Sequence, residues 1–104
     1  MHAAAAVTAS LTIVFSPGDG GAAKRSTLHC PAATANCRKL AQLPAGWYAP
    51  VPEDAACTQV FGGPQTARIH GNYRGRRIWV TFSRKNGCEI ARWNRVAFLL
   101  PGRS

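Results

Sequence analysis

The stretch Cys57-Thr58-Gln59-Val60-Phe61-Gly62-Gly63-Pro64 decides how the rest of this 104-residue chain is interpreted. It begins with a cysteine, continues as a mixed polar and apolar run, and ends in a Gly-Gly-Pro break. Two segments with strand periodicity follow at once, and a further cysteine, Cys88, lies at their far end. A disulfide at one end and a turn at the other would restrain the whole stretch. We therefore predict that residues 57–64 form a presented loop, for which the remaining chain is the scaffold.

The two segments after the presented loop are predicted to form a β-hairpin. Between residues 65 and 73, apolar or small side chains alternate with polar ones, which is the period of a half-buried strand. Arg74-Gly75 supplies the turn. The return strand then directs Ile78, Val80 and Phe82 toward the core and leaves Trp79 on the outer side.

Three further strands and one or two short helices complete the predicted domain. A helix begins near Thr34 or Asn36, either of which can serve as its N-cap. The pattern predicts an α+β fold with a five-stranded antiparallel sheet. The additional strands are Leu11–Phe15, Ser26–Cys30 and Val96–Leu100, and the helical segments are Thr34–Leu43 and Glu89–Trp93.

The four cysteines, Cys30, Cys37, Cys57 and Cys88, form an even set without a C-x-x-C pair. This pattern favours two disulfides in an oxidising compartment over a zinc or redox site, so we expect neither a metal nor a cofactor. We expect the pairs Cys30–Cys37 and Cys57–Cys88. In the chain-entropy model these bonds are worth about 2–3 and about 3–4 kcal/mol, respectively. The second bond would bring Asn86 to the presented loop, where its side chain is predicted to hydrogen-bond the loop backbone.

The charge of the chain is strongly positive. Thirteen Lys and Arg oppose four acids, Asp19, Glu53, Asp54 and Glu89, for a net charge of +9. Such a charge attracts polyanions. The basic residues are nevertheless scattered along the sequence, without a basic helix or an aromatic nucleic-acid motif. The sequence therefore favours a solvated basic surface, and nucleic-acid binding is not expected.

No catalytic constellation is legible, because the chain lacks a Ser–His–Asp or Cys–His pattern and has few acids for proton transfer. An enzyme is therefore not expected. Residues 1–9 are small and apolar but lack a basic n-region, and the run through Phe15 is too short to span a bilayer. We interpret residues 1–9 as a frayed segment or the remnant of an export signal. Residues 10–104 are predicted to form one domain.

Several of these residues together resemble the subtilisin-inhibitor-like family of actinobacterial secreted serine-protease inhibitors. The resemblance covers roughly residues 10–100 and is carried by the order of the cysteines and by three short motifs. These motifs are Leu28-His29-Cys30-Pro31, Gly71-Asn72-Tyr73-Arg74-Gly75 and Asn86-Gly87-Cys88-Glu89.

The resemblance implies inhibition by a substrate-like loop. The residue two after the third cysteine, Gln59, would be P1, the side chain that enters the protease specificity pocket. The reactive bond would then be Gln59–Val60. Ala56, Cys57 and Thr58 would be P4 to P2, Phe61 would be P2′, and Asn86 and Pro64 would support the loop. The implied partner is a secreted serine protease of the subtilisin-like or trypsin-like kind.

The resemblance also implies secretion and a homodimer formed between sheet faces, to which an outward Trp79 between Arg68 and Arg77 would contribute. Three features differ from the family's commonest pattern, and the first is the short separation of seven residues between Cys30 and Cys37. Gln59 replaces the residues suited to subtilisin or trypsin, and Gly62-Gly63 predicts a longer and looser primed side. The alternative function is a non-inhibitory basic binding or structural domain on the same fold, with its basic face against an acidic surface.

Overall fold

The computed structural model describes residues 7–101, which form an α+β domain around one antiparallel sheet. The sheet has four strands in the order β2-β1-β3-β4, and two helices and a 3-10 turn pack against it. The strands are β1 (Ala9–Ser16), β2 (Lys24–Cys30), β3 (Thr66–Tyr73) and β4 (Arg76–Ser83). The helices are α1 (Ala35–Ala41) and α2 (Gly87–Val96), and the 3-10 turn is Ala97–Leu99.

Alternation along the strands divides the sheet into a buried and an open face, as the sequence predicted. Leu11, Ile13 and Ile69 are each no more than 1% exposed. Ile13 lies opposite Ile69, and Ile69 lies opposite Val80, so one apolar row crosses three strands. Leu40 of α1 and Val96 at the end of α2 belong to the same buried cluster. The core therefore lies between the helices and this one face of the sheet.

The predicted hairpin is confirmed as β3 and β4. Its turn residues, Arg74 and Gly75, have φ angles of 52° and 80°, respectively. Left-handed backbone at both positions matches the twist of a two-residue hairpin, and the glycine adopts it without steric cost. The predicted N-cap of the first helix is also confirmed, because Thr34 Oγ1 accepts a hydrogen bond from the backbone N–H of Cys37.

The predicted fifth strand, Val96–Leu100, is wrong. Helix α2 continues to Val96, and the chain then enters the 3-10 turn. Val96, Leu99 and Leu100 are buried, whereas Ala97 and Phe98 are half-buried, so the spacing of buried residues is helical rather than alternating. A short apolar run fits either period, and here packing against the sheet selected the helical one.

Both predicted disulfides, Cys30–Cys37 and Cys57–Cys88, are present. The first links the end of β2 to α1 and is buried in the core. The second closes a much longer segment, with a sequence separation of 31 against 7. No group of three or more His, Cys, Asp or Glu side chains within residues 7–101 is arranged to hold a metal ion.

Most of the segment 1–9 that was predicted to be frayed lies outside the described residues. Val7 and Ala9, however, are buried at 3% and 5% exposure and contribute to the core. Strand β1 begins at Ala9, one residue before the predicted start of the domain. Neither helix in the described part of the chain has the length and apolar composition needed to cross a bilayer.

Candidate functional site

The presented loop has no regular secondary structure and lies between the Pro-rich segment before it and strand β3. Its central residues are exposed. Thr58 and Gln59 are exposed, and Val60 and Phe61 are 58% and 67% exposed. Apolar side chains this exposed contribute little to the core of the described domain. They are available to a partner.

One clamp holds the beginning of the loop. The Cys57–Cys88 disulfide fixes Cys57 to helix α2. One residue later, the carbonyl oxygen of Thr58 accepts a hydrogen bond from the backbone N–H of Gly87 at 2.9 Å. A Cβ on Gly87 would collide with Thr58 Oγ1. Glycine at this position therefore allows the loop to lie directly on the first turn of α2.

Asn86 supports this clamp in a different way from the one predicted. Its side-chain Oδ1 accepts the backbone N–H of Glu89 at 2.9 Å, which makes Asn86 the N-cap of α2. The hydrogen bond to the loop comes instead from the neighbouring backbone, at Gly87. Asn86 thus stabilises the start of the helix on which the loop rests, and its effect on the loop is indirect.

A second clamp holds the loop at Gly62. The N–H of Gly62 donates to the carbonyl oxygen of Arg84 at 2.7 Å, and Arg84 Nε donates back to the carbonyl oxygen of Gly62 at 3.0 Å. The Arg84 guanidinium also lies 5.6 Å from the ring centroid of Trp93, which is buried in the core. A Cβ on Gly62 would approach Ile90 Cδ1 to 2.8 Å. The paired glycines were predicted to loosen this part of the loop, but the first of them is fixed by two hydrogen bonds.

Pro64 closes the loop against the connection between β1 and β2. Gly18 lies so close to Pro64 that a Cβ at position 18 would collide with the Pro64 carbonyl oxygen. Gly18 also has a φ of 80°, which other residues rarely adopt. The close approach of Pro64 to Gly18 places the end of the loop against the β1–β2 connection.

The two clamps flank the predicted reactive bond. The first acts at Cys57 and Thr58 and the second at Gly62, so Gln59, Val60 and Phe61 form the exposed span between them. The Gln59 side chain turns back along the loop, where its Nε2 donates to the carbonyl oxygen of Cys57 at 3.1 Å. Ala56 precedes the first clamp and is exposed.

Arg84 is the supporting residue that the sequence did not reveal. Its position after β4 and before a turn suggested only a solvated charge. Its role depends on a strand end and a loop that are 22 residues apart in the chain. No local pattern encodes such a contact.

Comparison with known proteins gives no further assignment. No protein-family model, no curated protein and no solved structure matches the chain.

Proposed function

We propose that the chain is a secreted inhibitor of subtilisin-like serine proteases that presents residues 56–61 as a substrate-like strand, with Gln59–Val60 as the reactive bond. The observation that carries this proposal is the exposed three-residue span held between two clamps. Proteases bind their substrates as extended strands, through main-chain hydrogen bonds and pockets for alternate side chains. A loop already restrained at both ends loses less conformational entropy when it binds as a strand.

The two clamps also explain how such a loop would resist hydrolysis. If the Gln59–Val60 bond were cut, the new carboxyl end would stay attached through Cys57–Cys88 and the hydrogen bond from Gly87. The new amino end would stay near it through the Gly62–Arg84 pair. Because neither end diffuses away, religation competes with release of the product.

The pair of disulfides supports an extracellular location, since such bonds persist in oxidising compartments. The exposed Val60 and Phe61 support a protease whose primed subsites accept apolar side chains. Gln59 at P1 favours an enzyme with a broad specificity pocket over one that requires a charged side chain.

The test is a titration of subtilisin and trypsin with the oxidised protein, followed by mass spectrometry. We expect saturable inhibition of subtilisin and a single slow cut between Gln59 and Val60. That cut adds the mass of one water to the intact protein. The two fragments separate only after reduction, because Cys57 and Cys88 lie on opposite sides of the cut. Rapid digestion of the oxidised protein at many bonds would contradict the proposal.

A substitution at P1 tests the assignment of the bond. Gln59→Lys should shift the preference toward trypsin by about 10-fold or more, the range over which specificity pockets discriminate. Gln42→Lys is the matched control, because it makes the same change at an exposed position at the end of α1. An equal gain in trypsin inhibition in Gln59→Lys and Gln42→Lys would show that Gln59 is not the P1 residue.

A further inference from the structure

The face of the sheet opposite the core carries a cluster of positive charge that the linear sequence disperses. We call this the outer face. Arg25 of β2, Arg68 of β3 and Arg77 of β4 all project from it. The register sets Val14 of β1 between Arg25 and Arg68, so these two arginines share one row across the sheet. The other positions are mostly Ser, Thr and Asn.

No acid balances this charge on the sheet. None of the four acids in the chain lies on a strand. Within residues 7–101 the ion pair present is Glu89–Arg92 on α2, and Arg68 Nε is buried without a hydrogen-bond partner. The pKa of His70 is lowered from its ordinary value, first by partial burial and then by Arg68, Arg77 and Arg25. The field of the three arginines therefore adds up at the centre of the outer face.

An aromatic platform lies at this centre. Trp79 is 64% exposed, and the His70 ring stacks on it at 4.8 Å and 28°. The guanidinium carbon of Arg68 lies 5.0 Å from the centroid of the Trp79 ring. Flat rings and guanidinium groups on an open sheet are the elements that bind the bases of single-stranded nucleic acids.

A second copy of this chain is the competing occupant of the outer face, because Trp and Arg are enriched in protein interfaces. The described part of the chain has three exposed large apolar side chains, Val60, Phe61 and Trp79. The first two belong to the loop, so Trp79 is the one on the outer face. Protein interfaces usually have an apolar core surrounded by a polar rim. A second copy stacked face to face would in addition bring arginines against arginines, which costs free energy.

We propose that the outer face binds single-stranded nucleic acid, with a base stacked at Trp79 and backbone phosphates at Arg25, Arg68 and Arg77. The charge of the face is complementary to a polyanion, and the platform accepts any base because every base has a π face. This site is separate from the presented loop. Its existence does not depend on protease inhibition.

The experiment is a fluorescence-polarisation titration of a labelled oligothymidine of about 12 nucleotides, within the site size of small single-strand-binding folds. We expect saturable binding that weakens with salt, with a slope of log K against log salt of about −2 for three phosphate contacts. Intrinsic fluorescence supplies a second readout. Trp47 and Trp93 are buried, so quenching on binding would report Trp79.

Two sets of variants separate stacking from charge. Trp79→Ala should weaken binding by about 5- to 100-fold, the effect of one stacked base. The double variant Arg25→Ser/Arg77→Ser should reduce the salt slope to about −0.7. Arg38→Ser/Arg95→Ser is the matched control, because it removes the same charge from exposed positions on the two helices. It should leave affinity and slope nearly unchanged.

The proposal would be overturned by binding that does not saturate at low salt, by equal losses of oligonucleotide affinity in the two double variants, or by full affinity in Trp79→Ala. It would also be overturned if heparin bound as tightly as the oligonucleotide and Trp79→Ala left heparin binding unchanged. The last would identify a general polyanion site. A dimer in sedimentation that Trp79→Ala dissociates would assign the face to a second copy instead. Gln59→Lys should bind the oligonucleotide normally, so failure of the inhibitor proposal leaves this test intact.

Discussion

The presented loop and the outer face are the two surfaces of this domain that point to partners, and they are built in different ways. The loop is continuous in sequence and irregular in structure, and a few specific contacts hold it: a disulfide, the Gly87–Thr58 hydrogen bond and the Gly62–Arg84 pair. The outer face is discontinuous in sequence and regular in structure, because the sheet itself sets its geometry. Damage to a clamp should therefore affect the whole loop, whereas a single change on the outer face should remove only the contact of that residue. Four experiments probe this difference.

Removal of the Cys57–Cys88 disulfide should have the largest effect. We expect Cys57→Ser/Cys88→Ser to lower the free energy of unfolding by about 3–4 kcal/mol. If the proposed inhibition holds, the same variant should be cleaved as a substrate. The measurements are urea unfolding and the rate of cleavage by subtilisin.

Cys30→Ser/Cys37→Ser is the control for that experiment. It should cost about 2–3 kcal/mol because its closed segment is shorter, yet leave the loop clamped and inhibitory. Equal loss of inhibition in the two double variants would mean that global stability, and not the local clamp, preserves the loop.

Arg84→Ala should have the next largest effect, because it removes the donor to the Gly62 carbonyl while the backbone bond to Gly62 remains. Loss of a charged hydrogen bond should cost about 1.5–3 kcal/mol, which corresponds to inhibition weaker by at least about 10-fold. Inhibition constants against subtilisin measure it. Arg95→Ala removes a charge from the exposed side of α2 and should leave inhibition unchanged. Similar inhibition constants for Arg84→Ala and Arg95→Ala would show that the second clamp does not contribute to inhibition.

A smaller effect is expected at Gln59. Its side chain donates to the Cys57 carbonyl, which substrate-like binding would need as an acceptor. Gln59→Met cannot make this bond. It should bind subtilisin faster by about 5-fold, the worth of one exposed hydrogen bond of about 1 kcal/mol. Stopped-flow association rates test this, with Gln65→Met as a control just outside the loop. A slower association rate in Gln59→Met would contradict it.

The smallest effect is expected at His70 on the outer face. Because its pKa is lowered in the folded state, His70 accepts a proton more readily in the unfolded chain. Stability should therefore decline as the pH falls below the ordinary value of 6.5 toward the lower folded pKa. NMR titration of the imidazole should show the lowered pKa. Arg25→Ser/Arg77→Ser should raise the pKa of His70. An unchanged pKa in that variant would show that these two arginines do not contribute to the lowering.

The part of the fold that depends on local periodicity could be read from the sequence. Alternation predicted the four strands, Arg74-Gly75 predicted the turn, and Thr34 predicted the first helix cap, because each signal lies within a few residues. Val96–Leu100 was misread because a five-residue apolar run satisfies both periods. The capping pattern of Asn86 and Glu89 was the local signal for a longer helix α2.

What the sequence determined by itself was therefore local: the four strands, the hairpin turn, the first helix cap and the extent of the loop. Its residues are consecutive, and the cysteines and the Gly-Gly-Pro break that bound it lie at its ends. Only the tertiary structure decided how the loop is clamped and that Arg25 joins Arg68 and Arg77 on the outer face. Arg84 and Gly62 are 22 residues apart, and Arg25, Arg68 and Arg77 come from three strands. Contacts between distant residues depend on strand order and register, and these follow from burial of the whole apolar face rather than from any local pattern.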